Sequence, residues 1–328
     1  MSVTMKDASL KKQWFKNLLL SREMSLFLII AVAFGVLFAL KGEIFFSLRN
    51  FEGIVTGMIY DLFMASGMTI VLILWGIDLS VGAILALTSV VTAMLMRAGL
   101  NVPLSVCLGL LTSLLGGAVN GLFVAKFKMA PFIVTMAVMS IARGIALVLS
   151  SGYFISELPD SYQRISEGRV AGVPIPYLVV IVTLIVLDLL LKNWKFLNQS
   201  FFVGTNPKAA ALSGIPVFRV TMVGYLISAL MAGFAAIFMS SKLAMGFSQF
   251  GQLAEQRAIA AAVIGGASFT GGSGSILGAT LGVVLIAIIN NGFVLLNGSP
   301  NWQQAVSGII LLVAVGVDAI KTRKERKE

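Results

Sequence analysis

Few residues in this chain are equipped for chemistry, and most of them interrupt apolar runs. Asp78 and Ser80 lie in Trp75-Gly76-Ile77-Asp78-Leu79-Ser80-Val81-Gly82, between two hydrophobic stretches. Either side chain suits the cap of a helix beginning near Val81, and a carboxylate is favoured at a helix's positive end. The same break suits a translocation path, because intramembrane polar groups gather along such paths. The two roles are compatible. Arg143, in Met139-Ser140-Ile141-Ala142-Arg143-Gly144, would cost about 2.5–3.5 kcal/mol at a helix centre, so it must face protein or water. Its expected structural partners are Asp61, Asp78 or freed backbone carbonyls; its functional reading is a place on the solute path. Asn290, Asn291, Asn297, Gln303 and Gln304 gather with Trp302 near the ends of two late helices. Neutral amides hydrogen-bond hydroxyls without charge, which suits a polyol or sugar, and Trp302 equally suits interfacial anchoring.

Other chemistries are excluded by composition. The chain has no histidine and a single cysteine, Cys107, so disulfide frameworks, Cys/His zinc sites and histidine-dependent catalysis fall away. No serine is paired with an identifiable base, and no metal site is expected. The chain is read as a non-enzyme. A net charge of +10 would suit nucleic acid, but the basic residues flank apolar runs and lack interleaved aromatics. They read instead as determinants of membrane topology.

The elements that position these residues are membrane helices. Hydrophobic residues make up 58% of the chain, charged residues only 12%, and the mean hydropathy is +0.97. Apolar runs of roughly 17–25 residues recur, each long enough to cross a hydrocarbon core of about 30 Å. The expected spans are Met24–Leu40, Ile54–Trp75, Val81–Met96, Pro103–Ala125, Pro131–Ser151, Tyr177–Leu191, Arg219–Ser241, Arg257–Phe269, Ser275–Leu296 and Trp302–Ile320. The fold class is therefore an all-α polytopic membrane protein of about ten helices. Residues 1–23 form an N-terminal segment without a cleavable signal, residues 24–320 a single transmembrane domain and residues 321–328 a basic tail. With the N-terminus inside, sixteen of the 24 basic residues fall on the inner face, which puts both termini in the cytoplasm. An outer loop of about Gly152 to Pro176 reads either as a connector or as a receiving surface for an external partner.

A polar island stands out on the inner side: Gly204-Thr205-Asn206-Pro207-Lys208-Ala209-Ala210-Ala211-Leu212-Ser213-Gly214-Ile215. Asn206 suits an N-cap, Pro207 the first helical position and Gly214 the C′ position. About two turns fit between them. So short a helix needs support from its surroundings or from a partner, which makes it a candidate docking element.

Glycine patterns add packing rather than chemistry. Gly53/Gly57, Gly117/Gly121 and Gly278/Gly282 each set two glycines one turn apart and predict close helix contacts. The run Gly265 to Ser275 is glycine-rich but lacks the Lys-Ser/Thr and the preceding strand of a phosphate loop; it reads as a hinge or turn between two half-length helices. Asn120-Gly121 echoes Asn291-Gly292, as an inverted five-plus-five repeat would require. Asp188 with Lys192, and Asp318 with Lys321, read as helix-end ion pairs.

Taken together these motifs resemble the permease of a bacterial ribose-type ABC importer, a family that also includes autoinducer, xylose, galactose and allose permeases. The resemblance spans nearly the whole chain. It rests on Gly76 to Gly82, Asn120-Gly121 through Lys126, Pro131 to Thr135 with Ser140 to Gly144, Gly204 to Ala210 with Ser213-Gly214-Ile215, and Asn290-Asn291-Gly292 with Trp302-Gln303-Gln304. It implies a multi-pass protein of the bacterial cell membrane. It also implies three kinds of partner: a second permease copy or paralogue, a tandem ATPase inside that binds ATP and Mg, and an extracytoplasmic solute-binding protein. This chain would hold no cofactor. The 204–215 segment would rest in a groove of the ATPase, and the solute would be a sugar or similar small hydrophilic molecule. An ion-coupled secondary transporter is the alternative. Two positions depart from the family pattern. Glu255-Gln256-Arg257 precedes Ala258-Ile259-Ala260-Ala261 where the family usually has Glu-Leu-Asp, so Arg257 would attract an anionic group or pair with Glu255. Thr205 stands where a second glycine is common.

Overall fold

The computed structural model describes residues 22–298 and, beyond them, scattered positions between 302 and 316. Helices α1 (Arg22–Phe45) and α2 (Leu48–Ile73) come first. The Ser47 hydroxyl accepts the Asn50 amide proton at 3.2 Å, which starts α2 six residues earlier than hydropathy alone suggests. Helices α3 (Val81–Arg97), α4 (Val102–Ala125) and α5 (Pro131–Ser150) follow. Asn101 caps α4 through Leu104 N, and Pro131 opens α5. The 152–176 loop holds a short amphipathic helix, α6 (Asp160–Glu167), and a small antiparallel hairpin, β1 (Arg169–Val170) with β2 (Val173–Pro174), Arg169 opposite Pro174. The chain continues through α7 (Ile175–Asn193), α8 (Lys195–Thr205), α9 (Pro207–Leu212), α10 (Val217–Leu243), α11 (Ala254–Ile264) and α12 (Ile276–Leu295).

Among the described residues, seven helices are long and apolar enough to cross a membrane: α1, α2, α4, α5, α7, α10 and α12. The expected ten are thus not all full spans. Helix α3 has 17 residues and α11 has 11, so α11 covers only about 16 Å, roughly half a hydrocarbon core. The partner of α11 across the glycine run is the 20-residue α12, not a second half-length helix. Most of the tenth expected span, including Gln303 and Gln304, lies outside the described residues, as do Asp318, residues 1–21 and the 321–328 tail.

Helix α10 is the centre of the bundle and packs on α2, α3 and α4. Between lipid-solvated helices the driving force is close van der Waals contact rather than exclusion of water, so small residues decide where backbones meet. The buried face of α10 carries Ser228, Ala229, Ala232, Gly233, Ala235 and Ala236. A β-carbon on Gly117 of α4 would lie 2.6 Å from that of Ala229. Gly121 sits as closely on Met222, while Gly278 and Gly282 abut the carbonyls of Gly265 and Ala261. The Gly53/Gly57 pair behaves differently: apart from the backbone of their own helix, no described atom lies within 4 Å of where their β-carbons would stand. Among the described residues, that pair packs against no other element.

The connections sort into two groups at opposite ends of the bundle. At one end the α11–α12 loop meets the C-terminal ends of α2 and α8, with Gly272 N donating to Ile73 O at 2.9 Å. At the other, α6 is bolted to the end of α10. Tyr162 is fully buried and its hydroxyl bonds Ser240 Oγ, Ser166 Oγ donates to Phe238 O at 2.8 Å, and Ser241 Oγ donates to Tyr162 O at 2.7 Å. The 152–176 loop is therefore a docked element rather than a loose connector.

Candidate functional site

Two breaks in the helical bundle gather the polar side chains. The first separates α2 from α3. Asp78 and Ser80 are completely buried there. Asp78 Oδ1 accepts from Ser80 N at 3.0 Å and from Ser80 Oγ at 2.5 Å, and Oδ2 accepts from Ser228 Oγ of α10 at 2.8 Å. Asn120 Nδ2 of α4 donates to Ser80 Oγ at 2.8 Å and lies 3.4 Å from Asp78 Oδ1. Thr135 Oγ1 of α5 donates to Ile77 O at 3.1 Å. The break is therefore pinned to α4, α5 and α10 at once. Ser80 occupies the N-cap position of α3 but makes no side-chain cap bond, because its hydroxyl is turned to Asp78. Neither side chain reaches an opening of the single chain.

The second break lies between α10 and α11. Residues Ala244, Gly251 and Leu253 adopt left-handed conformations, which carry the backbone back alongside α3 without helical hydrogen bonds. Irregular backbone at membrane depth requires partners within the protein. Arg143 supplies them: its Nη1 donates to Ser248 O at 2.6 Å and Phe250 O at 2.7 Å. Of the partners expected for Arg143, the freed carbonyls are the ones it holds. Gly251 and Gly82 meet backbone to backbone, and a β-carbon on Gly82 would lie 2.2 Å from Gly251 O and 2.8 Å from the Glu255 carboxylate. The two breaks thus touch.

Arg257 does not pair with Glu255. Two residues apart on a helix, their side chains leave on different sides. Arg257 instead closes on Asp61 of α2, with Nε at 3.2 Å from Oδ2 and Nη2 at 3.2 Å from Oδ1, while Nη1 lies 3.4 Å from Gln252 O. Glu255 stands in the first turn of α11, electrostatically coupled to both Arg143 and Arg257.

The island is built as its sequence suggests. Asn206 Oδ1 accepts from Lys208 N at 3.1 Å and Ala209 N at 3.0 Å, and Pro207 opens α9. Gly214 has φ +82°, Gly214 N donates to Ala211 O and Ile215 N to Ala210 O, each at 3.0 Å. That is a Schellman ending. Ala210 is buried, whereas Lys208, Ala209, Ser213 and Gly214 are exposed and Leu212 is 92% exposed. Thr205 Oγ1 donates to Phe201 O at 2.8 Å and abuts Gly272. Gly204 is fixed between chains of backbone: a β-carbon there would lie 1.7 Å from Ile73 O and 2.8 Å from Gly272 N. Gly204→Val is expected to lower the amount of folded permease in membranes by at least about fivefold, since overpacking by 1–3 kcal/mol is common and this contact is with rigid backbone. Fluorescence-detected size-exclusion chromatography of a tagged permease measures it; unchanged yield would refute the joint.

The remaining site residues divide. Asn291 of α12 exchanges amide hydrogen bonds with Asn50 at the start of α2, at 2.7 and 3.2 Å, and Asn290 is half-buried beside it. Gln303 and Gln304 lie outside the described residues. Lys192 bonds Asp188 at 2.7 Å, as the spacing predicts. Sequence reasoning missed Ser228, Asp61 as the partner of Arg257, and the whole of α8. Ser228 is one of five hydroxyl-bearing residues of α10, and its place midway along an apolar run was the available signal.

Helices broken at membrane depth, polar groups converging on the breaks and a capped helix at one end define a multi-pass membrane transporter subunit. Residues 50–315 match the family described as branched-chain amino acid transport system, permease component, and the chain belongs to that family. It is 39% identical over 261 residues to the ribose import permease protein of Bacillus subtilis, covering 79% of this chain and 81% of that protein. It is 31% identical over 299 residues to the autoinducer 2 import system permease protein of Photorhabdus luminescens, covering 91% and 90%. It is 32% identical over 300 residues to the L-arabinose ABC transporter permease protein of Azospirillum brasilense, covering 90% and 88%. No solved structure matches. Membership of an ABC importer permease family displaces the ion-coupled secondary transporter.

Proposed function

We propose that this chain is the membrane-spanning subunit of an ATP-driven importer that admits a sugar or similar small hydrophilic solute into a bacterial cell. Support for the solute class comes from the relatives, whose names specify ribose, L-arabinose and autoinducer 2. A separate ATPase holds ATP and Mg and takes the exposed face of α9. Residues 204–215 form the coupling segment within a single transmembrane domain of residues 24–320. Both termini and this segment lie in the cytoplasm, an orientation supported by the positive-inside distribution of Lys and Arg. A solute-binding protein delivers substrate at the opposite end, where Tyr153 is 76% and Phe154 59% exposed. Two permease copies, or this one and a paralogue, enclose the path.

The observation that carries the reading is α9 itself: a helix of six residues, capped at both ends, holding a bare leucine away from the bundle. A helix of six residues draws little stability from itself, and the exposed face of this one is free to take a partner. The decisive experiment reconstitutes the permease in proteoliposomes with its ATPase and binding protein and follows labelled D-ribose and L-arabinose. Uptake is expected to require both ATP and the binding protein. Uptake by the purified permease alone, driven by an ion gradient, would overturn the proposal.

A further inference from the structure

The four charged residues at the second break form a closed account. Asp61 and Glu255 carry two negative charges, Arg143 and Arg257 two positive ones, so the group is formally neutral. Asp61 stands midway along the 26-residue α2, about 18–20 Å from either end. A charge at that depth is tolerated only when it is compensated and faces protein or water. Arg143 is spent on the Ser248 and Phe250 carbonyls. Glu255 lies against Gly82 in the first turn of α3 and within the first turn of its own helix, with Arg143 and Arg257 as its charged neighbours. Arg257 is the remaining charge, and it is only partly covered. Its side chain is 29% exposed, that of Asp61 20%, and Gln252 beside them is exposed. Hydrocarbon is an unsuitable neighbour for such a surface; a hydrated path is a suitable one.

We propose that Asp61 is a specificity residue of the solute path: by holding the Arg257 guanidinium it keeps this surface neutral and restricts the path to uncharged, polyhydroxylated solutes. The departure at Arg257, an arginine where the resemblance leads one to expect an acid, then does not make the path anion-selective, because a carboxylate from another helix cancels it. The substrate half of this inference rests on the importer reading above; the electrostatic half does not.

The test separates them. In a Cys107→Ser background, Gln252→Cys is reacted from the outer side with a negatively charged sulfonatoethyl and a positively charged trimethylammonium methanethiosulfonate reagent. Both are expected to label the cysteine. Asp61→Asn is expected to raise the anionic-to-cationic rate ratio about tenfold, and Asp61→Asn/Arg257→Gln to return it to the starting value. Arg257→Gln alone is expected to lower the ratio about tenfold, which keeps the test open if Asp61→Asn folds poorly. No labelling by either reagent, or a ratio that none of these substitutions moves beyond twofold, would overturn the inference. In the reconstituted complex, import of D-ribonate as fast as D-ribose would overturn the neutral-solute assignment. Labelling needs no transported sugar, so absence of all pentose uptake would count against the importer reading while the ratio still decided the role of Asp61.

Discussion

Replacing Leu212 with glutamate is expected to strip the ATPase from the permease while leaving the permease folded in the membrane. Leu212 is the most exposed large apolar side chain described, at 92%, and it projects from a helix fixed by Asn206 at one end and Gly214 at the other. Among the described residues, the bundle leaves it almost wholly uncovered. Its burial in a partner groove contributes about 1.5–3 kcal/mol, and a carboxylate placed in the same groove is unpaired and desolvated. Together these correspond to a loss of affinity of at least about 100-fold, enough to abolish co-purification. Ala209→Asp acts on the same exposed face and is expected to do the same more weakly. Ala210 is the wrong position for this experiment despite its place in the motif: it is buried against the permease itself, so a bulky acid there disturbs the support of α9. The measurement is pull-down of the ATPase by tagged permease, with size-exclusion behaviour of the permease as the folding control. Retained co-purification with Leu212→Glu would remove α9 from the interface.

The two short motifs differ in how much their sequence disclosed. For Asn206 to Gly214 local rules suffice, because capping side chains act on amides two or three residues away and a left-handed glycine ends a helix wherever it falls. Hydropathy likewise located the long helices, since lipid-facing stretches must be apolar throughout. Helix α8 escaped because Lys195, Asn198, Gln199 and Ser200 dilute its apolar signal; its helicity comes from packing on α7, α9 and α10. The partners at the breaks escaped for a related reason. Arg257 meets a residue 196 positions away and Asp78 one 150 positions away, and no spacing rule connects them. Arg257 paired with its sequence neighbour is the natural reading of a one-dimensional string; helix geometry turns the two side chains apart and tertiary contact supplies Asp61. Gly53 and Gly57 show the converse, a legible packing motif with no partner among the described residues, on the same face of α2 that carries Asp61 one turn on.

Asp78 is the position where side-chain shape and hydrogen-bonding capacity separate most sharply. Its two oxygens gather Ser80, Ser228 and Asn120 from the break, α10 and α4. Leucine has the same branched skeleton, with bulkier methyl groups in place of the oxygens, and accepts nothing. Asp78→Leu would leave the Ser228 hydroxyl, the Ser80 amide and hydroxyl and part of the Asn120 amide without their acceptor in a dry interior, at about 1–3 kcal/mol for each orphaned group. The expected result is loss of folded permease and of all uptake. Asp78→Asn keeps one carbonyl oxygen for the Ser80 amide and hydroxyl, and its new donor meets Ser228 Oγ, which accepts as well as it donates. That variant is expected to retain folded protein and at least about a third of wild-type uptake. A solute-binding role for the carboxylate predicts the opposite ordering, with Asp78→Asn folded but inactive. Because Asp78 is completely buried and its partners come from the break and two separate helices, the geometry favours the first outcome: the polar break before α3 acts as a fixed pin on which the second break, through Gly82 and Gly251, is positioned. Thermal stability in detergent and uptake in proteoliposomes, measured on both variants, distinguish the two.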